Sequence, residues 1–384
     1  MVNTILIVLK HFNFGGTERY AINLANTLTK KGFLVIIVGG KGPMDSYINS
    51  NIKVIHAPIG RRMPNKKISE EIILSVAKKF KPQVIHAQCR NSLICSQLAR
   101  RKLGIPVVVH EHLSYQKDEY SFVAKELKEN SDKIITVTNY VAEEIVAAGL
   151  KRNNVKTIYN GINLDDFPLI NENEKKESRK LLGVLPSDKV VLCLSRIVPG
   201  KGIENLVDAF TVVSKKISNA KLVIAGDDEL HSTKGRIKKT LVERNLSEKV
   251  FLFPGQFNIR KFHAAADVFC YPPINRGMAV MEAMASSLPI VAKENLRKPF
   301  VAEDNKAGLL VKSDSYIELS EKLIVLLENK ELAKTLGTAG REKIREEFNM
   351  DKNTLETLAV YREAISDIIL KQGSLQMFEY VSED

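Results

Sequence analysis

The chain has 384 residues, 44% of them hydrophobic and 27% charged, which suits two globular domains and excludes a disordered protein. Aromatic residues make up only 7% and Trp is absent, so the composition argues against a stacking platform for single-stranded nucleic acid. The net charge is +12, and all of the excess lies in residues 1–160, which carry 24 basic and 12 acidic side chains.

The first half of the chain alternates short strand-like segments with segments of helical periodicity. The strand segments are nearly continuous apolar runs, a pattern typical of strands buried on both faces of a parallel sheet. They are Thr4–Leu9, Leu34–Val38, Lys53–His56, Val84–His86, Val107–His110, Lys133–Val137 and Val155–Tyr159. This half is predicted to be a doubly wound α/β domain over residues 1–162.

The alternation stops at Asn163–Glu177, which is rich in Asn, Asp, Glu and Pro and is predicted to be a linker. It resumes in a second α/β domain, predicted over residues 178–352. The strand segments there are Val190–Ser195, Leu222–Ala225, Val250–Phe253, Val268–Tyr271, Ile290–Ala292 and Leu309–Val311. Two helices, Lys330–Glu347 and about Asn353–Leu370, and a polar tail over 372–384 follow. Ligands of parallel sheets bind at the carboxyl ends of the strands, so a cleft between the two facing domains is the expected site.

Two glycines, Gly15 and Gly16, stand between the first strand and the first predicted helix. Glycine lets backbone approach a ligand closely, and a helix N-terminus offers unpaired N–H groups to an anion. The pair is therefore either a substrate-binding loop or a structural turn. It is not the G-x-G-x-x-G motif of a dinucleotide site.

The second domain has a similar loop that carries two cations. Arg196 follows a buried strand segment, and Lys201 lies between Gly200 and Gly202, just before a helix that begins near Ile203. Two fixed cations beside a helix N-terminus suit a diphosphate, whose negative charge grows as it departs. The alternative is a pair of surface charges on a turn.

Glu282 is a carboxylate among small apolar residues, downstream of Gly277, Met278 and Ala279. A buried carboxylate needs hydrogen-bond donors, and two ribose hydroxyls would supply them, while the backbone around Gly277 would offer N–H groups. The alternative is an acid near a helix N-terminus that complements the helix dipole.

Three histidines, His86, His110 and His112, follow strands in the first half. A histidine near the cleft would hydrogen-bond a sugar hydroxyl or polarise a leaving group. The alternative is that each is an ordinary polar residue at a strand end.

The basic half favours an anionic partner, either an anionic acceptor or the cytoplasmic membrane surface. The candidate contacts are Arg61, Arg62, Lys66, Lys67 and Arg100–Lys102. A basic surface without a partner is the alternative, and nucleic acid is not expected because no recognised nucleic-acid motif is present.

No segment approaches the ~18 uninterrupted apolar residues of a membrane span, and the N-terminus has no signal-peptide h-region. The four cysteines form no C-x-x-C pair, and none lies near a histidine at metal-ligand spacing. We therefore expect a cytoplasmic protein with reduced thiols and no metal, bound peripherally at the inner face of the plasma membrane.

In their order and spacing these segments resemble glycosyltransferase family 4, whose members are retaining enzymes of the GT-B fold. The resemblance spans about residues 4–365 and rests on Phe14–Arg19, Val84–Gln88, Gly104–His112, Tyr159–Asn163, Arg196, Lys201–Gly202, Ala225–Asp227, Val250–Gly255, Ala266–Asp267 and Glu282–Ala285. It implies two Rossmann-like domains, with the last helix, at about 353–371, crossing back onto the N-terminal domain.

The resemblance also implies a function: transfer of a sugar from a nucleotide-diphosphate sugar, most often a UDP-sugar, to an acceptor glycan or lipid-linked sugar in cell-envelope polysaccharide or glycolipid synthesis. Arg196 and Lys201 would bind the diphosphate without a metal, Glu282 would bind the ribose, and His112 would orient the sugar. The implied substrate-binding positions are Gly15, Gly16, Gly226, Phe251, Gly277, Met278 and Ala279.

Two features depart from the family pattern. The family has an acid eight positions before the residue matched by Glu282, and this chain has Ile274 there, or Arg276 if a two-residue gap is allowed. Leu296–Phe300 lacks the glycines and the acid of the family's Gly-Gly-x-x-Glu loop. Either the donor is unusual, the acceptor half supplies the missing contacts, or the chain is an impaired family member that acts as a binding or regulatory partner.

Overall fold

A computed structural model of the chain describes residues 2–228, 233–255, 258–272, 277–294 and 306–381, with side chains as far as residue 370. The chain divides into two compact units. Unit 1 consists of Met1–Gly161 and Met350–Asp384, and unit 2 consists of Ile162–Asn349. The C-terminal helix therefore belongs to the N-terminal unit, as the resemblance implied.

Unit 1 is built on a seven-stranded parallel sheet with the strand order β3-β2-β1-β4-β5-β6-β7. The strands are β1 Thr4–His11, β2 Leu34–Gly40, β3 Lys53–His56, β4 Val84–Ala87, β5 Val107–Glu111, β6 Lys133–Thr136 and β7 Val155–Thr157. The helices are α1 Gly16–Lys30, α2 Asn65–Phe80, α3 Arg90–Cys95, α4 Gln97–Leu103, α5 Tyr120–Asn130, α6 Asn139–Ala147 and, from the end of the chain, α14 Met350–Val381. Every residue of the central strands β4 and β5 is buried, which explains their unbroken apolar runs.

The described residues of unit 2 form a six-stranded parallel sheet with the order β10-β9-β8-β11-β12-β13. The strands are β8 Lys189–Leu194, β9 Ala220–Ala225, β10 Val250–Phe253, β11 Val268–Tyr271, β12 Ile290–Lys293 and β13 Leu309–Val311. The helices are α7 Glu172–Leu182, α8 Ile203–Lys216, α9 Thr233–Glu243, α10 Arg260–Ala265, α11 Met278–Ala285, α12 Tyr316–Glu328 and α13 Lys330–Glu347. The strand segments predicted from the sequence are confirmed in both units, with ends that differ by a few residues.

The strand order of each sheet identifies where a ligand site would lie. In unit 1 the strand order reverses between β1 and β4: successive strands are added outward from β1 on one side and from β4 on the other. In unit 2 the strand order reverses in the same way between β8 and β11. Ligands of doubly wound sheets bind at the carboxyl ends of the strands beside this switch point. A ligand site is therefore expected at the loops after β1 and β4 and at those after β8 and β11.

Two boundary predictions were wrong. The predicted linker Asn163–Glu177 runs into a helix, because Asn171 accepts a 2.9 Å hydrogen bond from the Glu174 amide and starts α7. Its polar composition reflects the capping and acidic residues that helix N-termini favour. The predicted polar tail is helical as far as Val381, which agrees with the Lys, Gln, Leu and Met residues in that segment.

Candidate functional site

The loop between β8 and α8 holds two cations at the switch point of unit 2. Gly200 and Gly202 have φ angles of +80° and +67°, in the left-handed region that glycine adopts without strain. Between them stands the half-buried Lys201, and the exposed Arg196 follows β8. Gly202 is the N-cap of α8 and no side chain caps this helix, so its first N–H groups are available to an anion.

The two cations are close enough to influence each other. Burial lowers the pKa of Lys201, and the nearby positive charge of Arg196 lowers this pKa further. Both effects penalise the charged ammonium group, and an anion bound beside the loop would offset both. The loop is therefore a candidate anion site.

The loop after β11 lies against the same region. A Cβ at Gly202 would lie 3.0 Å from Pro272, and a Cβ at Gly277 would overlap the hydroxyl of Tyr271. Tyr271 is buried, which raises its pKa, while the charge of Arg196 acts in the opposite direction. Tyr271 could not be singled out from the sequence, because its place at the end of an apolar strand is typical of an ordinary core residue.

Gly277 is the N-cap of α11, and no side chain caps this helix. The backbone N–H groups of Met278 and Ala279 at its first two positions can therefore serve as donors, as predicted. Within the described residues, each of the two strands that flank the switch point, β8 and β11, is thus followed by a helix with an uncapped N-terminus. These helices are α8 and α11.

Glu282 is the fifth residue of α11 and only 4% exposed. The first turn of α11 has no acidic residue, so the alternative that Glu282 complements the helix dipole at the N-terminus was wrong. Behind it, the hydroxyl of Ser286 bonds to the Glu282 carbonyl at 3.1 Å and to Nδ1 of the buried His263 at 2.8 Å. A buried carboxylate one turn inside a short helix has to be matched by hydrogen-bond donors.

Two predicted substrate-binding positions have packing explanations in the structure. A Cβ at Gly226 would overlap the carbonyl oxygen of Ser195, so glycine is required there to let β9 and the β8–α8 loop meet. Phe251 does not lie with the cations, which corrects its assignment to the site. Its ring lies 5.9 Å from the ammonium group of Lys221 and 3.8 Å from a Cβ placed at Gly183, both near the amino ends of the strands.

Gly15 and Gly16 begin α1 in unit 1, where Gly15 is an N-cap without a side-chain cap. The carboxylate of Glu18 folds back over Gly15 and leaves no room for a Cβ there. Its Oε1 lies 3.2 Å from Nδ1 of His11. The Gly-Gly turn therefore carries its own acid at the helix N-terminus, and neither His11 nor Glu18 was singled out from the sequence.

His112 is half-buried at the carboxyl end of β5, whereas His86 and His110 are fully buried. Neither of the latter two is exposed to a ligand, so of the three candidates only His112 remains. Burial lowers the pKa of both His86 and His112 to about 3, so both rings are neutral at pH 7. Nε2 of His112 lies 3.1 Å from Oε1 of the buried Gln88, a residue that the sequence analysis left without a role.

Glu111 ends β5 immediately before His112 and is only 1% exposed. Burial raises its pKa to about 7, and the charge of Arg90 opposes this rise. The guanidinium group of Arg90 stacks on the ring of Tyr115, 4.8 Å from its centroid. The sequence shows an acid between His110 and His112, but it does not show that Arg90, at the start of α3, lies beside this acid.

Ile274, Arg276 and Leu296–Phe300, which depart from the family pattern, lie outside the residues that the structure describes. In the described ranges no helix is long and apolar enough to cross a membrane. The same residues contain no group of three His, Cys, Asp or Glu side chains arranged to hold a metal ion.

Comparisons with known proteins decide the family. The model described as Glycosyltransferase Family 4 matches residues 14–166, and the one described as Glycosyl transferases group 1 matches residues 174–343. An uncharacterized glycosyltransferase of Methanocaldococcus jannaschii is 30% identical over 276 residues, which cover 69% of this chain and 71% of that protein. The chain belongs to glycosyltransferase family 4. The resemblance seen in the sequence is confirmed.

A second relative of this family 4 chain has a named activity. The GDP-mannose-dependent alpha-(1-6)-phosphatidylinositol monomannoside mannosyltransferase of Mycobacterium tuberculosis is 27% identical over 243 residues. The match spans 60% of this chain and only 61% of the mycobacterial protein. Among solved structures, Anabaena HepE in complex with UDP and glucose has a TM-score of 0.81 at 17% identity, covering 94% of this chain and 99% of that one. That likeness confirms the GT-B fold.

Proposed function

We propose that this chain transfers a sugar from a nucleotide-diphosphate sugar, with retention at the anomeric carbon, to an acceptor glycan or lipid-linked sugar. The observation that carries the proposal is the pair of cations Arg196 and Lys201 beside the uncapped N-terminus of α8. A second uncapped N-terminus, that of α11, follows the neighbouring strand β11. Relatives support a nucleotide donor, because one uses GDP-mannose and a structural neighbour was solved with UDP. A UDP-sugar is the donor that we propose.

In this proposal the transition state resembles an oxocarbenium ion paired with the leaving nucleoside diphosphate. Arg196 and Lys201 stabilise the negative charge as it develops on the departing phosphates, which preorganised cations do at no reorganisation cost. The N–H groups at the starts of α8 and α11 add donors to the same anion. Glu282 accepts hydrogen bonds from the two ribose hydroxyls.

In unit 1 we propose that His112 orients the sugar through a hydrogen bond and that the Gly15–Gly16 turn binds substrate. The proposed acceptor class is an envelope glycolipid or polysaccharide precursor, and the support is the phosphatidylinositol-linked acceptor in the name of the mycobacterial relative.

An enzyme assay tests this proposal directly. Purified protein is incubated with UDP- and GDP-sugars and a set of glycolipid acceptors, and the anomeric configuration of the product is read by NMR. Arg196→Ala and Lys201→Ala should each lower turnover by ~100-fold, the scale for losing one preorganised charge contact. Lys215→Ala, an exposed cation near the far end of α8, is the matched control and should keep full turnover.

Two results would contradict the proposal. Unchanged kinetics in both loop variants would remove the phosphate assignment. Nucleotide binding without any transfer would favour the impaired binding partner, the reading suggested by Ile274 or Arg276 in place of an acid.

We also propose that the basic surface of unit 1 meets an anionic membrane. Arg61 forms an ion pair with Glu126, and Arg100 forms one with Asp132. Fewer basic side chains can therefore contact a membrane than the sequence suggested. The exposed cations Arg62, Lys67, Arg101 and Lys102 remain, and Met63 is 67% exposed between two of them. An apolar side chain flanked by lysine and arginine suits the interface of an anionic bilayer.

Vesicle flotation tests this partner. Binding should rise with phosphatidylglycerol content and should fall when Arg62 and Lys67 are both changed to Glu. Flotation that does not depend on anionic lipid would count against the proposal.

A further inference from the structure

A chain of polar contacts runs through the interior of unit 1 and ends at His112. The hydroxyl of Tyr361 on α14 lies 2.6 Å from Nδ1 of His86 on β4. The amide nitrogen of Gln88 lies 3.2 Å from the same Nδ1 and 3.4 Å from Nε2 of that ring. The other end of the amide, Oε1 of Gln88, lies 3.1 Å from Nε2 of His112.

The orientation of the Gln88 amide decides which nitrogen of His112 carries the proton. Its nitrogen faces the neutral ring of His86, which can accept a hydrogen bond, so its oxygen faces His112. A carbonyl oxygen can only accept, and therefore Nε2 of His112 must be the donor. Gln88 and His86 are both 0% exposed, so water does not compete for these groups.

The surroundings keep His112 uncharged and fixed in direction. Its ring stacks on that of His110, with centroids 4.2 Å apart and planes 12° from parallel, and meets the edge of Tyr20 at 5.3 Å. Neither of these two ring partners carries a carboxylate. Burial lowers the pKa of His112, and the acid next to it in the chain, Glu111, is itself buried with a raised pKa.

We propose that Gln88 is a positioning residue that holds His112 as the Nε2–H tautomer and so presents the Nδ1 lone pair to a substrate hydroxyl. In the described part of the chain no protein group bonds to Nδ1, and His112 is only half-buried. A nitrogen with a lone pair accepts from hydroxyl groups and repels phosphate and carbonyl oxygens. His112 thus selects a sugar with a free hydroxyl at the contacted position, and it is not a general acid. The identity of the ligand as a sugar rests on the proposed function, whereas the tautomer does not.

Tyr361 extends this arrangement to the C-terminal helix. Both it and His86 are fully buried, and their 2.6 Å contact fixes the ring against which the Gln88 amide is oriented. Helix α14 therefore supports the orientation of His112 through Tyr361.

The tautomer is measured on the free protein with ¹⁵N-labelled histidine and long-range ¹H–¹⁵N NMR spectra at pH 7, with His112 assigned through His112→Asn. We expect the Nε2–H pattern in the wild type and a mixture of tautomers in Gln88→Leu. Gln97→Leu is the matched control, because Gln97 is also buried in unit 1 and, among the residues that the structure describes, its amide donates to the carbonyls of Leu93 and Asn130. An Nδ1–H pattern in the wild type, or an unchanged pattern in Gln88→Leu, would overturn the proposal.

A second variant keeps the test decisive if Gln88→Leu does not fold. In Gln88→Glu the carboxylate still accepts from Nε2, so the tautomer should be retained. Its negative charge should raise the pKa of His112 by about 1–3 units, measured by recording these spectra over a series of acidic pH values. No rise in this pKa would show that residue 88 does not face His112 and would overturn the assignment.

Kinetics then test the substrate half of the inference. Gln88→Leu should lower kcat/KM by about tenfold, the scale of one hydrogen bond, and Gln88→Glu should recover activity at the alkaline end of its pH profile. A deoxy sugar that lacks the contacted hydroxyl should react equally with wild type and Gln88→Leu. If the NMR tautomer is as expected but kcat/KM is unchanged in Gln88→Leu, the role in sugar selection is refuted. An enzyme inactive in every assay would instead refute the proposed function.

Discussion

Replacing Glu111 by Gln should change how the stability of unit 1 depends on pH. Glu111 is 1% exposed at the end of β5, and its burial raises the pKa of the carboxyl group from 4.5 to about 7. The folded chain therefore holds a proton that the unfolded chain releases between these two values. Glutamine has a similar shape and does not titrate, so it isolates this contribution.

The sign and size follow from linkage. Because the folded-state pKa is the higher of the two, the stabilisation from Glu111 is complete below pH 4.5 and is lost as the pH rises through about 7. Between pH 5 and pH 8 the wild type should lose roughly 2–3 kcal/mol relative to Glu111→Gln. The difference in free energy of unfolding, Gln variant minus wild type, should therefore increase by that amount from pH 5 to pH 8.

Hydrogen exchange of peptides from β4 and β5, followed by mass spectrometry in a urea series at both pH values, gives the free energy of unfolding of unit 1 alone. Glu129→Gln, an exposed acid on α5, is the control and should leave the difference between the two pH values unchanged. A Glu111→Gln variant whose stability runs parallel to the wild type from pH 5 to pH 8 would refute the argument that Glu111 is protonated because of its burial.

Two further substitutions test packing and charge in unit 2. Gly226→Ala should destabilise unit 2 by about 1–3 kcal/mol or more in urea unfolding. The reason is that the Cβ of the new alanine would overlap a backbone carbonyl of the β8–α8 loop. Gly235→Ala, where nothing lies within 4 Å of the added Cβ, should be neutral or stabilising, and equal effects would contradict the steric reasoning. Asp267→Asn should cost roughly 3–5 kcal/mol, because Arg179 is only 4% exposed and loses its charged partner at 2.7 Å. A loss below about 1 kcal/mol, the level of an exposed ion pair, would show that the backbone carbonyls around Arg179 are sufficient partners.

The strands were predictable because burial on both faces makes each of them an apolar run that needs no knowledge of its neighbours. The start of α7 was not predictable in the same way, since the Asn and Glu residues that cap a helix are also typical of a loop. Its packing depends on Arg179, which bonds to Asp267 almost ninety residues away.

The candidate site divides in a similar way. Arg196, Lys201 and Gly277 follow strand ends, and local spacing was enough to propose them. Gln88 and Tyr361 acquire a role only when β4, β5 and α14 come together, and the contact between Tyr361 and His86 spans 275 positions of the chain. Phe251 was named through the family resemblance alone, and its position beside Lys221 appears only when β9 and β10 pair.

Titration calorimetry with UDP and its sugars tests the central claim that the β8–α8 loop binds the donor diphosphate. Wild type and Lys215→Ala should bind UDP equally, and Lys201→Ala should bind it at least tenfold more weakly, since a hydrogen bond to a charged group contributes about 1.5–3 kcal/mol. Equal affinity in all three proteins, or no binding by the wild type to any nucleotide, would contradict the account.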